Sequence, residues 1–215
     1  MKNIYLISGL GADERVFRNI DFNGENPKYI HWINPHIDES LESYSMRLLE
    51  QVDSETDLIL VGVSFGGIIA NEMAKHISTK KIIIISSIKA SSEKPLVYRI
   101  IHFLRLINLV PSFLLRTYNP IMAYFFGISS SEDRDLLKSF LSKTEGSFVK
   151  WSLKSILQWN SEINPSNLSH IHGTKDKLFP SRLIGQVVLI ADGGHFMILN
   201  KAKEISLKLR EILKD

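Results

Sequence analysis

A serine set between two glycines is the first group in this chain able to do covalent chemistry: Gly62-Val63-Ser64-Phe65-Gly66, with Gly67 immediately after. A serine hydroxyl is a weak nucleophile near neutral pH, so it needs a base to take its proton and a third group to orient that base. The chain has seven histidines and no cysteine, which removes thiolate nucleophiles, disulfides and cysteine-based metal sites. His195, in Gly193-Gly194-His195-Phe196, follows an apolar run and sits in a glycine-rich loop. His31, His36, His76 and His102 have no such setting and read as surface or packing residues. His170 and His172 flank Ile171 and so share one face of a strand. An H-x-H pair suggests a metal, but no His/Asp/Glu cluster completes a ligand set, and a structural role for His172 is favoured over catalysis. Three carboxylates are open as the third group: Asp176, Asp192 beside the histidine loop, and Asp13 after the first apolar run.

The elements that must position these groups follow from hydrophobic periodicity. Six short apolar runs rich in β-branched residues, Asn3–Ser8, Tyr29–Ile33, Asp57–Val63, Lys81–Ser86, Leu168–Ile171 and Gln186–Ala191, read as strands buried on both faces. Between or after them lie helical patterns at Leu41, Tyr44, Leu48 and Val52, at Ile68–Ile77, and at Ile205, Leu209, Ile212 and Leu213. Strand then helix, repeated, predicts a parallel α/β sheet. Ser64 then falls on a sharp strand-to-helix turn, where side chains at Gly62 and Gly66 would clash with neighbouring elements. The helix start favours negative charge developing on a bound carbonyl oxygen, with the Phe65 N–H as one donor.

Lys89–Trp159 breaks the rhythm with four helical patterns and no strand. The first spans Leu96 to Ile107, with Arg99, His102 and Arg105 on one face, and is ended by Pro111. A second runs from Ser112 to Phe126, a third opens at Ser131 as a cap with Glu132 and Asp133 in its first turn, and the fourth is the aromatic Phe148–Trp159. The expected organisation is a core of residues 1–88 and 160–215 covered by a helical lid, residues 89–159.

The pentapeptide in this context resembles the α/β-hydrolase superfamily, in its serine esterase and lipase-like form. The resemblance covers almost the whole core. In that family the triad runs nucleophile, acid, histidine along the chain. His172-Gly173-Thr174-Lys175-Asp176 looks like the acid loop and Gly193-Gly194-His195-Phe196 like the histidine loop, so the resemblance implies Ser64, Asp176 and His195 as the triad. The G-x-x-D spacing from Gly173 favours Asp176 over Asp13 and Asp192. Ser8-Gly9-Leu10-Gly11 aligns with the family's His-Gly-x-Gly run, which implies the Leu10 N–H as second oxyanion donor, with Ser8 in place of the usual His. Family members carry two further strands before this loop, whereas this sequence starts on the loop's strand. Carrying over the family's order therefore predicts six parallel strands, ordered 2-1-3-4-5-6, with helices on both faces and Tyr29–Ile33 at an edge. The implied activity is hydrolysis of carboxylic esters through an acyl-enzyme, needing no metal or organic cofactor. A Ser nucleophile counts against the dehalogenase and epoxide-hydrolase branches, which use a carboxylate there.

Composition sets the remaining bounds. The 215 residues are 44% hydrophobic and 23% charged, with net charge +3, an ordinary globular balance without a nucleic-acid footprint. No apolar run reaches the ~18 residues of a spanning helix, and the Ile4–Ile7 run is too short for a signal-peptide core, so a cytoplasmic protein is expected. Residues 89–159 hold ten Lys and Arg against five Asp and Glu, which places the basic surplus on the lid. Its Phe, Leu, Ile and Trp content suggests an apolar acyl pocket, with Phe196 as a substrate contact and a small apolar or amphiphilic acyl compound as the partner. Thioester or lactone cleavage, a non-catalytic small-molecule receptor, and a weak peripheral membrane contact through the lid are the readings that stand beside the esterase one.

Overall fold

Four consecutive isoleucines in Lys81–Ile85 need apolar partners on both faces, and the fold supplies them by placing this strand inside a parallel sheet. The computed structural model describes residues 2–53 and 56–214, so residues 1 and 215, the expected outer bounds of the core, lie outside the described residues. The chain runs β1 (Asn3–Ile7), β2 (Lys28–Ile30), α1 (Leu41–Leu49), β3 (Leu58–Val63), α2 (Phe65–Met73) and β4 (Lys81–Ile85). Six helices follow: α3 (Leu96–Phe103), α4 (Leu106–Leu109), α5 (Ser112–Leu115), α6 (Pro120–Phe126), α7 (Ser131–Lys143) and α8 (Gly146–Gln158). The chain returns to the sheet with β5 (Leu168–Gly173) and β6 (Val188–Ile190) and closes with α9 (Met197–Asn200) and α10 (Ala202–Lys214). The order is β2-β1-β3-β4-β5-β6 and every pairing is parallel, as the resemblance implies.

Alternate strand residues feed two cores. Ile4, Leu6, Val61 and Ile83 point to the face covered by α10 and by Leu136, Leu137 and Phe140 of α7. Tyr5, Ile7, Leu60 and Ile84 point to the face covered by α1, α2 and the Phe148 and Ile156 side chains of α8. The helical insertion between β4 and β5 is therefore of two kinds: α7 and α8 share the cores of the sheet, whereas α3 to α6 contain no fully buried residue.

Several boundaries differ from expectation for identifiable reasons. The edge strand stops at Ile30 because the Gln51 side chain takes both backbone groups of His31, accepting from its N–H (2.9 Å) and donating to its carbonyl (3.0 Å). The last strand starts at Val188, after Gln186 has adopted φ +45°. The first helical pattern of the insertion divides at Arg105, at φ +52°, and α4 turns onto α8, where Lys150 Nζ donates to the Asn108 carbonyl (3.0 Å). The second pattern divides too, because Asn119 caps a new helix with Pro120 at its first position. In the third, Ser130 and not Ser131 is the cap, its hydroxyl accepting from Asp133 N–H at 3.0 Å. Helix α2 begins at Phe65, directly after Ser64.

Gly62 and Gly66 allow β1, β3 and α2 to approach as closely as they do. A Cβ on Gly66 would overlap the carbonyl oxygens of Ile7 and Ser8, and one on Gly62 would meet Gly67 Cα at 2.6 Å. Gly66→Ala should therefore lower stability by about 3 kcal/mol in urea unfolding, while Gly185→Ala, whose Cβ would meet nothing within 4 Å, should stay within about 0.5 kcal/mol of the parent. Equal midpoints for the two variants would overturn this account of the turn.

Candidate active site

Ser64 sits at φ +53° and ψ −118° between the end of β3 and the first residue of α2. A non-glycine residue in that region carries backbone strain. Its surroundings fix it there: Ser64 N–H donates to the Ile85 carbonyl (2.9 Å), and Ser87 Oγ donates to the Ser64 carbonyl (2.6 Å). The turn lifts the hydroxyl off the end of the sheet, 2.9 Å from His195 Nε2. His195 Nδ1 is in turn 2.9 Å from Asp176 Oδ2. Three side chains that are far apart in sequence thus form one hydrogen-bonded line across the ends of β3, β5 and β6.

Asp176 lies in the loop after β5 and is buried. Burial disfavours its charge, but the attraction of His195, the hydrogen bond to it, the nearby His172 and the Phe179 N–H together hold the carboxyl below its ordinary value. Its Oδ1 accepts from the backbone N–H groups of Leu178 and Phe179, both at 2.9 Å. With one oxygen held by backbone, the other is aimed at His195. The competing carboxylates are elsewhere: Asp13 caps a short turn and pairs with Arg15 at 2.7 Å, and Asp192 pairs with Lys175 at 2.7 Å on the surface.

His170 and His172 bond to each other, Nε2 to Nδ1 at 3.2 Å, and His172 Nε2 donates to the Phe179 carbonyl at 2.7 Å. Burial pushes both rings toward the neutral form, His170 down to about 2. His172 Nε2 is also 3.6 Å from Asp176 Oδ2, so the pair supports the acid loop from beneath. Among the described residues no third ligand joins them.

The loop after β1 passes directly over Ser64: a Cβ on Gly9 would lie 3.6 Å from Ser64 Cβ. Ala12 N–H closes the loop on the Gly9 carbonyl (3.0 Å), and Ser8 Oγ donates to the Ala12 carbonyl (2.7 Å). Trp32 Nε1 donates to the Gly9 carbonyl and Thr144 Oγ1 to the Gly11 carbonyl. Leu10 of this loop lines the same cavity as Ser64, and Phe65 begins α2, where helices leave N–H groups without internal partners. Trp32 and Thr144 carry no sequence signal for this role, because only the fold brings them to the loop.

A cavity of about 270 Å³ opens on Ser64 and His195. Leu10, Val16, Leu115, Met122 and Phe140 are among its largely apolar walls, and Phe196 lines it beside His195. The insertion closes the site: the Phe126 ring meets His195 edge-on at 5.4 Å, and the Phe126 carbonyl accepts from Phe196 N–H at 2.9 Å. From α3, Tyr98 Oη donates to the Leu178 carbonyl in the acid loop at 3.0 Å.

The six parallel strands, their order and the serine at the strand-to-helix turn define an α/β-hydrolase fold. Solved structures match it across the whole chain. An esterase from Exiguobacterium antarcticum superposes with TM-score 0.74 at 15% identity, covering 100% of this chain and 92% of that one. A bromoperoxidase from Bacillus anthracis gives 0.71 at 16%, with the same coverage, and a polyneuridine aldehyde esterase mutant gives 0.60 at 17%, covering 98% of each chain. No protein-family model matches the sequence, nor does any curated protein.

The lowered Asp176 carboxyl has a pH consequence. Its stabilising contribution is fully present above the ordinary aspartate value of about 3.9 and is lost as pH falls through the lower folded value. In urea unfolding, the stability gap between the parent and Asp176→Asn should hold constant from about pH 7 to 5 and shrink below about pH 4. A gap that is unchanged on acidification would contradict the ionised pairing with His195.

Proposed function

We propose that this chain is a serine hydrolase that cleaves carboxylic esters of apolar acyl groups, with Ser64 as nucleophile, His195 as general base and acid, and Asp176 as the carboxylate that orients it. The observation that carries this reading is the line of two 2.9 Å hydrogen bonds from Ser64 through His195 to Asp176, at the mouth of an apolar cavity. Ser64 Oγ attacks the ester carbonyl as its proton passes to His195 Nε2. The Leu10 and Phe65 N–H groups receive the oxyanion. Collapse of the tetrahedral adduct expels the alkoxide, which takes the proton from His195 and leaves an acyl group on Ser64. Water then enters, gives its proton to His195, and releases the carboxylic acid by the same steps in reverse order. Asp176 stays ionised throughout and stabilises the imidazolium that forms twice per turnover.

In this reading residues 1–88 and 160–215 carry the chemistry, and residues 89–159 supply the lid and most of the acyl wall. Similarity of fold to esterases supports a small-molecule substrate. Thioesters and lactones fit the same nucleophile, since both present an acyl carbonyl. A receptor of the same fold would bind apolar ligands without turning them over.

The test is an acyl-chain series of p-nitrophenyl esters with a serine-directed fluorophosphonate. The parent should be labelled, and kcat/KM should rise by about fourfold per methylene, the equivalent of about 0.8 kcal/mol, until the cavity is filled. Ser64→Ala should abolish labelling and lower kcat by about 10⁵- to 10⁶-fold, and Asp176→Asn by about 10⁴-fold. Absence of both labelling and turnover in the parent, with apolar ligands still bound, would replace the hydrolase with the receptor. A preference for short charged acyl groups would overturn the apolar pocket.

A further inference from the structure

The outer helices of the insertion present an apolar surface that none of the described residues covers. Twelve of the nineteen exposed large apolar side chains among the described residues fall between Leu96 and Phe125. Phe103 is 83% exposed, Leu109 77% and Ile121 71%. Soluble monomers rarely leave contiguous apolar patches beyond a few hundred Å². Helix α8 backs α3, α4 and α5, and α6 joins α5 at the cavity wall through Met122 and Leu115, so these four helices, none with a fully buried residue, form the outer layer of the insertion.

The charge on this layer has one sign. No Asp or Glu occurs between Glu93 and Glu132, whereas Arg99, Arg105 and Arg116 do, all exposed. The ion-paired arginines of the described residues are Arg15, Arg18, Arg47, Arg134 and Arg210, and these three are not among them. Glu162, which feels the charge of Arg99, is held instead by the hydroxyls of Ser91 and Ser92.

This pattern separates the candidate occupants. A second copy of the chain, meeting the patch about a two-fold axis, would set arginine against arginine with no carboxylate to pair. A bilayer with anionic headgroups complements both properties at once: phosphates meet guanidinium groups bidentately, and the acyl boundary receives the apolar side chains. We propose that the α3–α6 face docks flat on an anionic lipid bilayer. Phe103, Leu109, Phe113 and Ile121 enter the headgroup and acyl boundary, and Arg99, Arg105 and Arg116 sit at the phosphates. The same layer forms part of the cavity wall, through Leu115 of α5 and Met122 of α6, so docking brings the site beside a store of apolar chains. The docking itself does not require Ser64 to be a nucleophile.

The experiment is co-sedimentation of the full chain with vesicles of phosphatidylcholine alone and of phosphatidylcholine mixed with phosphatidylglycerol, at low and high salt. Binding to the anionic vesicles should exceed that to the zwitterionic ones by at least about tenfold and weaken with salt. Arg99→Gln with Arg105→Gln should remove several-fold of that preference. The triple variant Phe103→Ser, Leu109→Ser, Ile121→Ser should lose at least about tenfold of the binding while keeping its far-ultraviolet circular dichroism and its hydrolysis of a short soluble ester. Ser64→Ala should bind as the parent does, so the docking and hydrolase readings fail independently. The proposal is overturned by negligible binding to both vesicle types, by binding that the triple variant retains, or by a dimer in sedimentation equilibrium that the triple variant dissociates without any vesicle association in the parent.

Discussion

The site depends on one steric constraint: β3 must turn into α2 within a single residue, and that residue must carry the hydroxyl. Ser64 adopts φ +53° because β1 and β3 lie too close to α2 for any wider turn. The two flanking glycines make the approach sterically allowed, and the fully buried Val61, Phe65 and Ile68 hold it closed. Strain of about 1–3 kcal/mol at such a residue persists only where the surroundings over-determine it, and here two sheet cores and the Ser87 hydroxyl do so. The strained turn also sets what lies around the hydroxyl: His195 Nε2 is 2.9 Å from Ser64 Oγ, and the Gly9–Gly11 loop passes over it.

The insertion is integrated more deeply than a flap. Helices α7 and α8 contribute Phe140, Phe148 and Ile156 to the two cores of the sheet, and buried polar contacts tie the insertion down. Trp159 Nε1 donates to Glu72 Oε1 on α2 at 2.6 Å. Lys94, whose ammonium is disfavoured first by burial and then by Arg99, spends its donors on the carbonyls of Leu157 and Trp159 at the end of α8. Cations are favoured there, because the last carbonyls of a helix lack internal partners. By contrast α3 to α6 are held mainly through Tyr98, Phe126 and the underlying α8, leaving their outer face to other contacts.

Those contacts converge on the loops around Ser64. Tyr98 reaches the acid loop, Phe126 reaches the histidine loop, and Thr144 reaches the loop over Ser64. The insertion thus touches the loop that carries Asp176, the loop that carries His195 and the loop over Ser64, and shares the cavity wall as well. Any displacement of α6 relative to the sheet would be felt first at His195, because the Phe126 carbonyl takes the N–H of the next residue.

The sequence by itself determined a parallel α/β sheet and marked Ser64 and His195 as the side chains set in glycine-rich turns. Strand runs such as Leu58–Val63 and Lys81–Ile85 are too apolar to lie anywhere but between two layers, and glycine-flanked positions mark Ser64 and His195 through backbone need alone. Resemblance to a known fold singled out Asp176 and the strand order, which local patterning left open. Tertiary structure alone decided what depends on contacts distant in sequence. Gln51 ended β2, α8 divided the insertion's first helix at Arg105, and Trp32, Ser87 and Thr144 became supports of the site. It also separated an insertion of uniform apolar composition into helices that complete the cores and helices that face outward. Periodicity records how apolar a face is, whereas only packing fixes what that face meets.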